Sequence, residues 1–485
     1  MAQSMPQSIS GCRVAALLGR FDRSPAYAGL ADGLTELIGD GRIGLGVRLP
    51  SERELTDALA VSRTTVTRAY AVLRDSGYAE ARRGAGTFTR VPGGRSRVHD
   101  RALLPSPEDG DAIDLNCAAA SAPPGIAAAY AEAAAELPAY LAGHGYFPAG
   151  LPELQAAIAA TYEARGLPTE PRQIMVTPGA LTAASIVAQA YLGRGERAAV
   201  ESPGYPNVGR AIRHSGARVT AMPVDPDGWD LDAVGATLRQ VRPRLAYMVP
   251  DFQNPTGHLM SEADRQTYAR HLRRAGTFAV VDEAHQALAL DGQSMPAPFA
   301  AFDERTITLG SASKSHWGGL RLGWIRAPHH DVEQEMERLT QARLGLDLGA
   351  PVMEQLVLAR LLTGSPELVD RHRDRLRTQR DALLAALARE LPSWRFRRPT
   401  GGLAVWCELP SGSGTAFAAR AEQHGVIIAP GPAFAVEGGL DRFVRIPWTR
   451  PVAELDDAVG RLAAAWSGFA AATGGHGSPG RVLVA

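Results

Sequence analysis

Between Leu49 and Thr89 the apolar positions change period twice, and each change marks an element. In "LPSERELTDALAVSRTTVTRAYAVLRDSGYAEARRGAGTFT", Leu55, Ala58 and Leu59 recur at helical spacing behind Ser51, with Glu54 three residues after that serine. This pattern predicts a short helix opened by a capping box. A second helix is predicted from Ser62, because Val66, Ala69, Tyr70 and Leu73 share one face and Val61 with Val66 has the spacing of a hydrophobic staple. Its other face shows Arg63, Thr64, Thr65 and Arg68. The "AVS" connection is as short as a helix-turn-helix requires, and these exposed residue types bind phosphates or read base edges. "YAEARRGAGTFT" then predicts a two-stranded wing turning at Gly84 and Gly86, with Arg82 and Arg83 beside the turn.

Further along, periodicity stops and then resumes in another form. From Arg90 to Asp111 the chain mixes proline, glycine and charge with no apolar period, which predicts a flexible linker over 91–111. Beyond it, apolar runs such as "RAAVES", "RLAYMVP", "TFAVVDEA" and "TITLGSAS" alternate with amphipathic segments from 112 to 471. That alternation is the α/β pattern of a mainly parallel sheet with ligand groups at strand ends. Residues 472–485 are expected to form a flexible tail.

Composition fits a chain of several modules. At 485 residues, with 45% apolar positions, it is too long for one compact core and suggests about two to four domains. No run of about 18 apolar residues occurs and no apolar signal core opens the sequence, so a cytoplasmic protein without a membrane span is expected. Cys12, Cys117 and Cys407 are too scattered for a disulfide framework or a metal site. Charge balances at 51 against 51, but twelve arginines crowd the stretch from Arg42 to Arg101. A basic stretch beside a neutral remainder points to a nucleic-acid module joined to something else.

Among the 51 Lys and Arg residues a single lysine occurs, Lys314 in "GSASKSHWGGLRLGW". A primary amine can lose its proton and attack a carbonyl, which a guanidinium cannot do, so a Schiff base is the chemistry this lysine suggests. Its neighbours agree: Asp282 closes "TFAVVDEA", where a buried carboxylate can keep a pyridine nitrogen protonated. Asn254 in "NPTG" offers an amide at another strand end, and Ser311, Ser313 and Arg321 surround the amine with groups suited to a phosphate. "DEAH" at Asp282–His285 also spells a helicase box, but no phosphate loop of the form GxxxxGK[ST] precedes it.

The first module resembles the winged helix-turn-helix of the GntR regulators over residues 24–90, and the second is similar to the fold-type I aminotransferases that bind pyridoxal phosphate. Joined, they resemble the MocR-type regulators. The resemblance implies an N-terminal winged helix-turn-helix, then a large α/β domain with a smaller C-terminal α/β subdomain. It implies double-stranded DNA as partner, with Arg53, Ser62, Arg63, Thr64, Thr65, Arg68 and Gly86 as contacts. It also implies pyridoxal 5'-phosphate as cofactor, bound as an aldimine on Lys314, with Asp282 on the pyridine nitrogen and Asn254 near the ring hydroxyl. Ser311, Ser313 and Arg321 would hold the phosphate with Gly179 and Ala180 at a helix N-terminus, Tyr205 would stack on the ring, and Arg445 in "RFVRIPW" would bind a substrate carboxylate.

In two places the pattern departs from the family. The position three after Asp282, commonly a tyrosine, is His285, and the tyrosine expected across a homodimer falls at Tyr146, with a spacing to Gly150 shorter than usual. Two functions follow: a regulator whose site senses an amino compound or the cofactor itself, and a working aminotransferase with an accessory DNA-binding head.

Overall fold

In the computed structural model of the chain, the described residues are 8–90 except 20, 40–42, 45 and 83; 112–364 except 124; and 366–473. The predicted linker at 91–111, Arg83 and nearly all of the predicted tail lie outside them.

The head comprises α1 (Gly11–Leu18), α2 (Ala26–Gly39), α3 (Glu52–Leu59), α4 (Arg63–Asp75), β1 (Ala79–Arg82) and β2 (Gly86–Thr89). Its core gathers the apolar faces read from the sequence, including Leu55, Val66, Ala69 and Leu73, and adds Val14, Leu30 and Leu34 from α1 and α2. Ser51 Oγ accepts from Glu54 N at 3.2 Å and Ser62 Oγ from Thr65 N at 3.0 Å, so both predicted caps form. The reciprocal half of the capping box does not. Glu54 Oε1 instead accepts from Gly11 N at 2.7 Å, satisfying an orphan amide at the start of α1. A side chain at Gly11 would put its Cβ 2.8 Å from the Glu54 carbonyl oxygen, so glycine lets α1 lie against α3. The wing pairs antiparallel from Ala79↔Thr89 to Arg82↔Gly86, turning through Gly84 at φ +74°.

The body is built on seven strands: β4 (Ile174–Thr177), β5 (Arg197–Ser202), β6 (Arg218–Pro223), β7 (Leu245–Met248), β8 (Phe278–Asp282), β9 (Ile307–Ser311) and β10 (Gly323–Arg326). They lie in the order β4, β10, β9, β8, β7, β5, β6, with β10 antiparallel to both its neighbours and the other pairs parallel. Every residue of β4, β7, β8 and β9 is buried, as strands covered by helices on both faces must be. The antiparallel hairpin of β9 and β10 forces close packing: a Cβ at Gly310 would lie 2.0 Å from the Trp324 ring.

A smaller sheet of β11 (Arg395–Phe396), β12 (Ala404–Glu408), β14 (Ala429–Pro430) and β15 (Phe443–Pro447) follows the long helix Pro366–Glu390. The described chain re-enters after the linker through this subdomain, because β3 (Ile113–Asp114) pairs in parallel with β13 (Val426–Ile427). Among the described residues no helix is long and apolar enough to cross a membrane.

Candidate functional site

The carboxyl ends of the parallel strands bring the predicted groups together. β8 ends on Asp282, β9 runs into the short helix Ala312–Ser315 that carries Lys314, Tyr205 follows β5, and Asn254 follows β7. Lys314, Asp282, Arg321 and Arg445 lie close enough to perturb one another electrostatically, and His285 and Tyr205 feel the same charges.

Lys314 Nζ donates to Ala118 O at 2.8 Å. Burial lowers its pKa, because the charged form loses hydration, and the nearby Arg445 and Arg321 push the same way. Asp282 is fixed on both oxygens: Oδ1 accepts from Ala284 N at 2.8 Å, and Oδ2 from the hydroxyl of Tyr247. Burial raises its pKa, opposed by the Tyr247 hydrogen bond. Tyr247 had no signal of its own in the sequence; it lies on the neighbouring strand β7, one of the apolar run.

His285 is buried, and its Nδ1 lies 3.0 Å from Phe252 O. A carbonyl only accepts, so Nδ1 carries the proton of the neutral ring. Burial and the Lys314 charge lower its pKa to about 4, which keeps it neutral. Glu201, at the end of β5, is also buried and accepts from Trp229 Nε1 at 2.7 Å, Val249 N at 3.1 Å and Gln253 Nε2 at 3.2 Å. It ties the loop carrying Tyr205 to the loop carrying Asn254. None of these three contacts to Glu201 is local in sequence.

At the other end of the site, Gly179 caps the helix Ala180–Tyr191 at φ +94°, and a Cβ there would lie 3.0 Å from Arg321 Nη2. A Cβ at Gly323 would lie 2.6 Å from Ala180 N. The two glycines leave the first amides of that helix and the guanidinium around a cradle that suits a phosphate dianion. Ser311 Oγ accepts from Ser313 N at 3.2 Å and caps the lysine's short helix. Arg445, on β15, donates through Nη1 to Asn254 Oδ1 at 3.3 Å and through Nη2 to Asn116 O. Tyr205 Oη accepts from Asn207 Nδ2 at 3.1 Å. Tyr146 is 57% exposed, and its amide donates to His144 Nδ1 at 3.0 Å.

On the head, Arg53, Ser62, Arg63, Thr64 and Arg68 are all exposed. Ser62 and Thr65 bond each other through their hydroxyls at 2.8 Å as part of the cap. Arg63 reaches Glu52 at 3.5 Å, and Arg68 lies over the Tyr27 ring at 3.9 Å. Gly86 opens β2 at φ +111° beside Arg48.

The comparisons with known proteins divide the chain in the same way. The family "Aminotransferase class I and II" matches residues 120–462, and "Bacterial regulatory proteins, gntR family" matches 26–89. The chain is 33% identical to a 2-aminoadipate transaminase of Thermus thermophilus over 64% of its own length and 79% of the relative's. It is 28% identical to the HTH-type transcriptional regulator TauR of Rhodobacter capsulatus over 83% of this chain and 88% of the relative. Among solved structures, an α-aminoadipate aminotransferase of Thermus thermophilus, complexed with N-(5'-phosphopyridoxyl)-L-leucine, superposes with a TM-score of 0.67 at 30% identity, covering 77% of this chain and 97% of that one.

Proposed function

For a chain that belongs to the aminotransferase class I and II family and carries a GntR-family head, we propose a DNA-binding regulator of the MocR type whose pyridoxal phosphate site senses an amino compound. The observation that carries this reading is the joining, in one chain, of an exposed helix-turn-helix face with a body whose strand ends gather Lys314, Asp282, Arg321 and Arg445. When bound, the cofactor supplies an aldehyde that captures amines and a ring that withdraws electrons from the captured nitrogen's neighbour.

The protein's own groups then have separable tasks. Lys314 offers the nitrogen, and its lowered pKa leaves more of it as free amine near neutrality. Asp282, oriented by Tyr247, holds the proton at the pyridine nitrogen. Gly179, Ala180, Ser311, Ser313 and Arg321 take the phosphate. Tyr205 stacks on the ring, Asn254 and His285 face its polar edge, and Arg445 takes a carboxylate through its fork. On the head, Arg53, Arg63, Thr64 and Arg68 face the DNA, with Ser62 and Thr65 fixing the helix start and Gly86 the wing.

We place the homodimer contact on the body. Tyr146 and Leu141 are exposed near Leu344, Leu346 and Leu348, and a Cβ on Gly349 would lie 2.8 Å from Phe147 O, so the two loops adjoin. An apolar surface of this kind suits a second copy, to whose site Tyr146 would contribute. Two heads would then read a repeated site.

The test is titration of purified protein with pyridoxal phosphate, followed by DNA-affinity measurements on duplexes enriched from a random pool, with and without a panel of amino acids. A visible absorbance that borohydride bleaches while fixing the cofactor on Lys314, absent in Lys314→Arg, and a DNA affinity that shifts with an amino compound are expected. The second reading, a working transaminase, is favoured by the 33% identity to a transaminase. Fast multiple-turnover amino transfer with no effect on DNA binding would establish it over the regulator.

A further inference from the structure

We infer that the segment Asn116–Ser121 transmits occupancy of the site to the linker, because its carbonyl oxygens hold the two side chains that a ligand must take. The inference rests on the proposed roles of Lys314 and Arg445. β3 ends at Asp114, and past it body side chains fasten the segment. Arg450 Nε donates to Asp114 O at 3.2 Å, Thr449 Oγ1 to Cys117 O at 3.4 Å and Arg375 Nη2 to Ser121 O at 2.8 Å. Between these pins, Ala118 O accepts from Lys314 Nζ at 2.8 Å and Asn116 O from Arg445 Nη2.

One arginine connects the segment to the lysine from behind. Arg375 Nη2 also lies 3.0 Å from His372 Nδ1, and a guanidinium has only donors, so Nδ1 is the acceptor and the ring proton is on Nε2. His372 Nε2 therefore donates to Lys314 O at 3.0 Å. The segment, the ring and the lysine's main chain form one bonded unit around Arg375.

Competition follows from valence. The free amine that forms a double bond to the cofactor's aldehyde carbon gives up both its protons, which leave with the aldehyde oxygen as water, and the nitrogen turns toward that carbon, so it no longer donates to Ala118 O. A carboxylate that engages the Arg445 fork takes Nη2 from Asn116 O. The cofactor releases the contact at Ala118 O and a carboxylate the contact at Asn116 O; a primary amine on the same compound, by displacing Lys314 Nζ from the cofactor's carbon, holds that carboxylate at the fork. By linkage, a ligand that loosens the segment binds more tightly when the segment is already loose, by the same factor. Immediately N-terminal in sequence lies the 91–111 stretch leading to the head.

The experiment is hydrogen exchange on the full chain, following the amides of Ile113, Leu115 and Asn116, which bond to Gly425 O, Ile427 O and Asp114 Oδ1. The probes are pyridoxal phosphate alone, then with methylamine, acetate or L-alanine. Exchange in 113–121 should rise by about threefold or more with the cofactor and again with L-alanine, and acetate without the cofactor should leave the Ala118 end unchanged. Thr449→Val, which is close to isosteric, and Arg375→Gln should raise basal exchange, tighten cofactor binding by the same factor and shrink the DNA response. Exchange that stays level or slows while the absorbance and DNA response both develop would sink this inference alone. Absence of the absorbance would remove the cofactor reading and the inference with it.

Discussion

Arg63 on α4 has 79% of its side chain exposed and meets Glu52 at 3.5 Å, whereas Arg265 in the body is fully buried and closes on Asp251 at 2.5 Å. Arg326, Arg343 and Arg380 are buried like Arg265, each bonded to fixed oxygens such as Thr169 Oγ1, Pro148 O and Pro399 O. The same residue type thus works in two media. An exposed pair contributes little and is easily exchanged for a phosphate, while a buried guanidinium cannot leave without stranding its partner. Arg63 and Arg68 are available for a partner, whereas Arg265, Arg326, Arg343 and Arg380 hold the body's architecture.

The largest effect that would sharpen this contrast is acid lability confined to the body. Burial holds His285, His316, His258 and His372 at about 4 in the folded chain, below the ordinary 6.5, and residues 1–90 contain no histidine. At these four rings the unfolded chain binds more protons between those values, so the stability they contribute is full above about 6.5 and is lost as pH falls toward about 4. At pH 5 the loss is about 1 to 2 kcal/mol for each of the deeply buried rings. All seven tryptophans lie beyond residue 228, so their emission reports the body alone. The urea midpoint read by tryptophan should drop from pH 7 to pH 5 while amide protection in α4 holds; a common drop would mean that head and body unfold as one.

Next in size, Arg265→Ala should destabilise the body by about 3 to 5 kcal/mol, because Asp251 is left buried without its cation. Pairing it with Asp251→Ala should recover part of that loss in the same urea titration. Ser62→Ala should lower α4 protection by about 1 kcal/mol through loss of the cap. Smallest in stability, Arg63→Ala with Arg68→Ala should stay within about 0.5 kcal/mol of the parent. Their effect belongs to binding: DNA affinity should fall at least about tenfold, with a salt dependence shallower by about two phosphate contacts. Unchanged DNA affinity in that pair would break the comparison.

What the sequence disclosed divides along the range of the interactions. The caps at Ser51 and Ser62, the staple of Val61 and Val66 and the glycine turn of the wing depend on residues a few positions apart, so pattern alone located them. Strand ends bearing Asp282, Asn254 and Lys314 were legible because apolar runs stop where polar groups begin. Helix α1 was not predicted although Ser10 caps it locally by accepting from Arg13 N; what no local pattern could show is that its first amide is satisfied by Glu54, 43 positions on. The same holds for Tyr247 with Asp282, for the three bonds that converge on Glu201, and for Ala118 with Lys314, 196 positions apart. Partners brought together by sheet order leave no local signature. Ser311 and Ser62 show a related limit: both stood out as ligand-type hydroxyls, and both accept a backbone amide at a helix start.

The solitary amine also gives the protein an unusual relation to proteolysis. An endoprotease that cuts only after lysine has one peptide bond to recognise in the unfolded chain, the bond between Lys314 and Ser315. Once borohydride has fixed a group on that nitrogen, the specificity pocket of such a protease no longer accepts the side chain. Cleaved and intact chains on a denaturing gel would then count, molecule by molecule, how many sites were filled when the reductant was added.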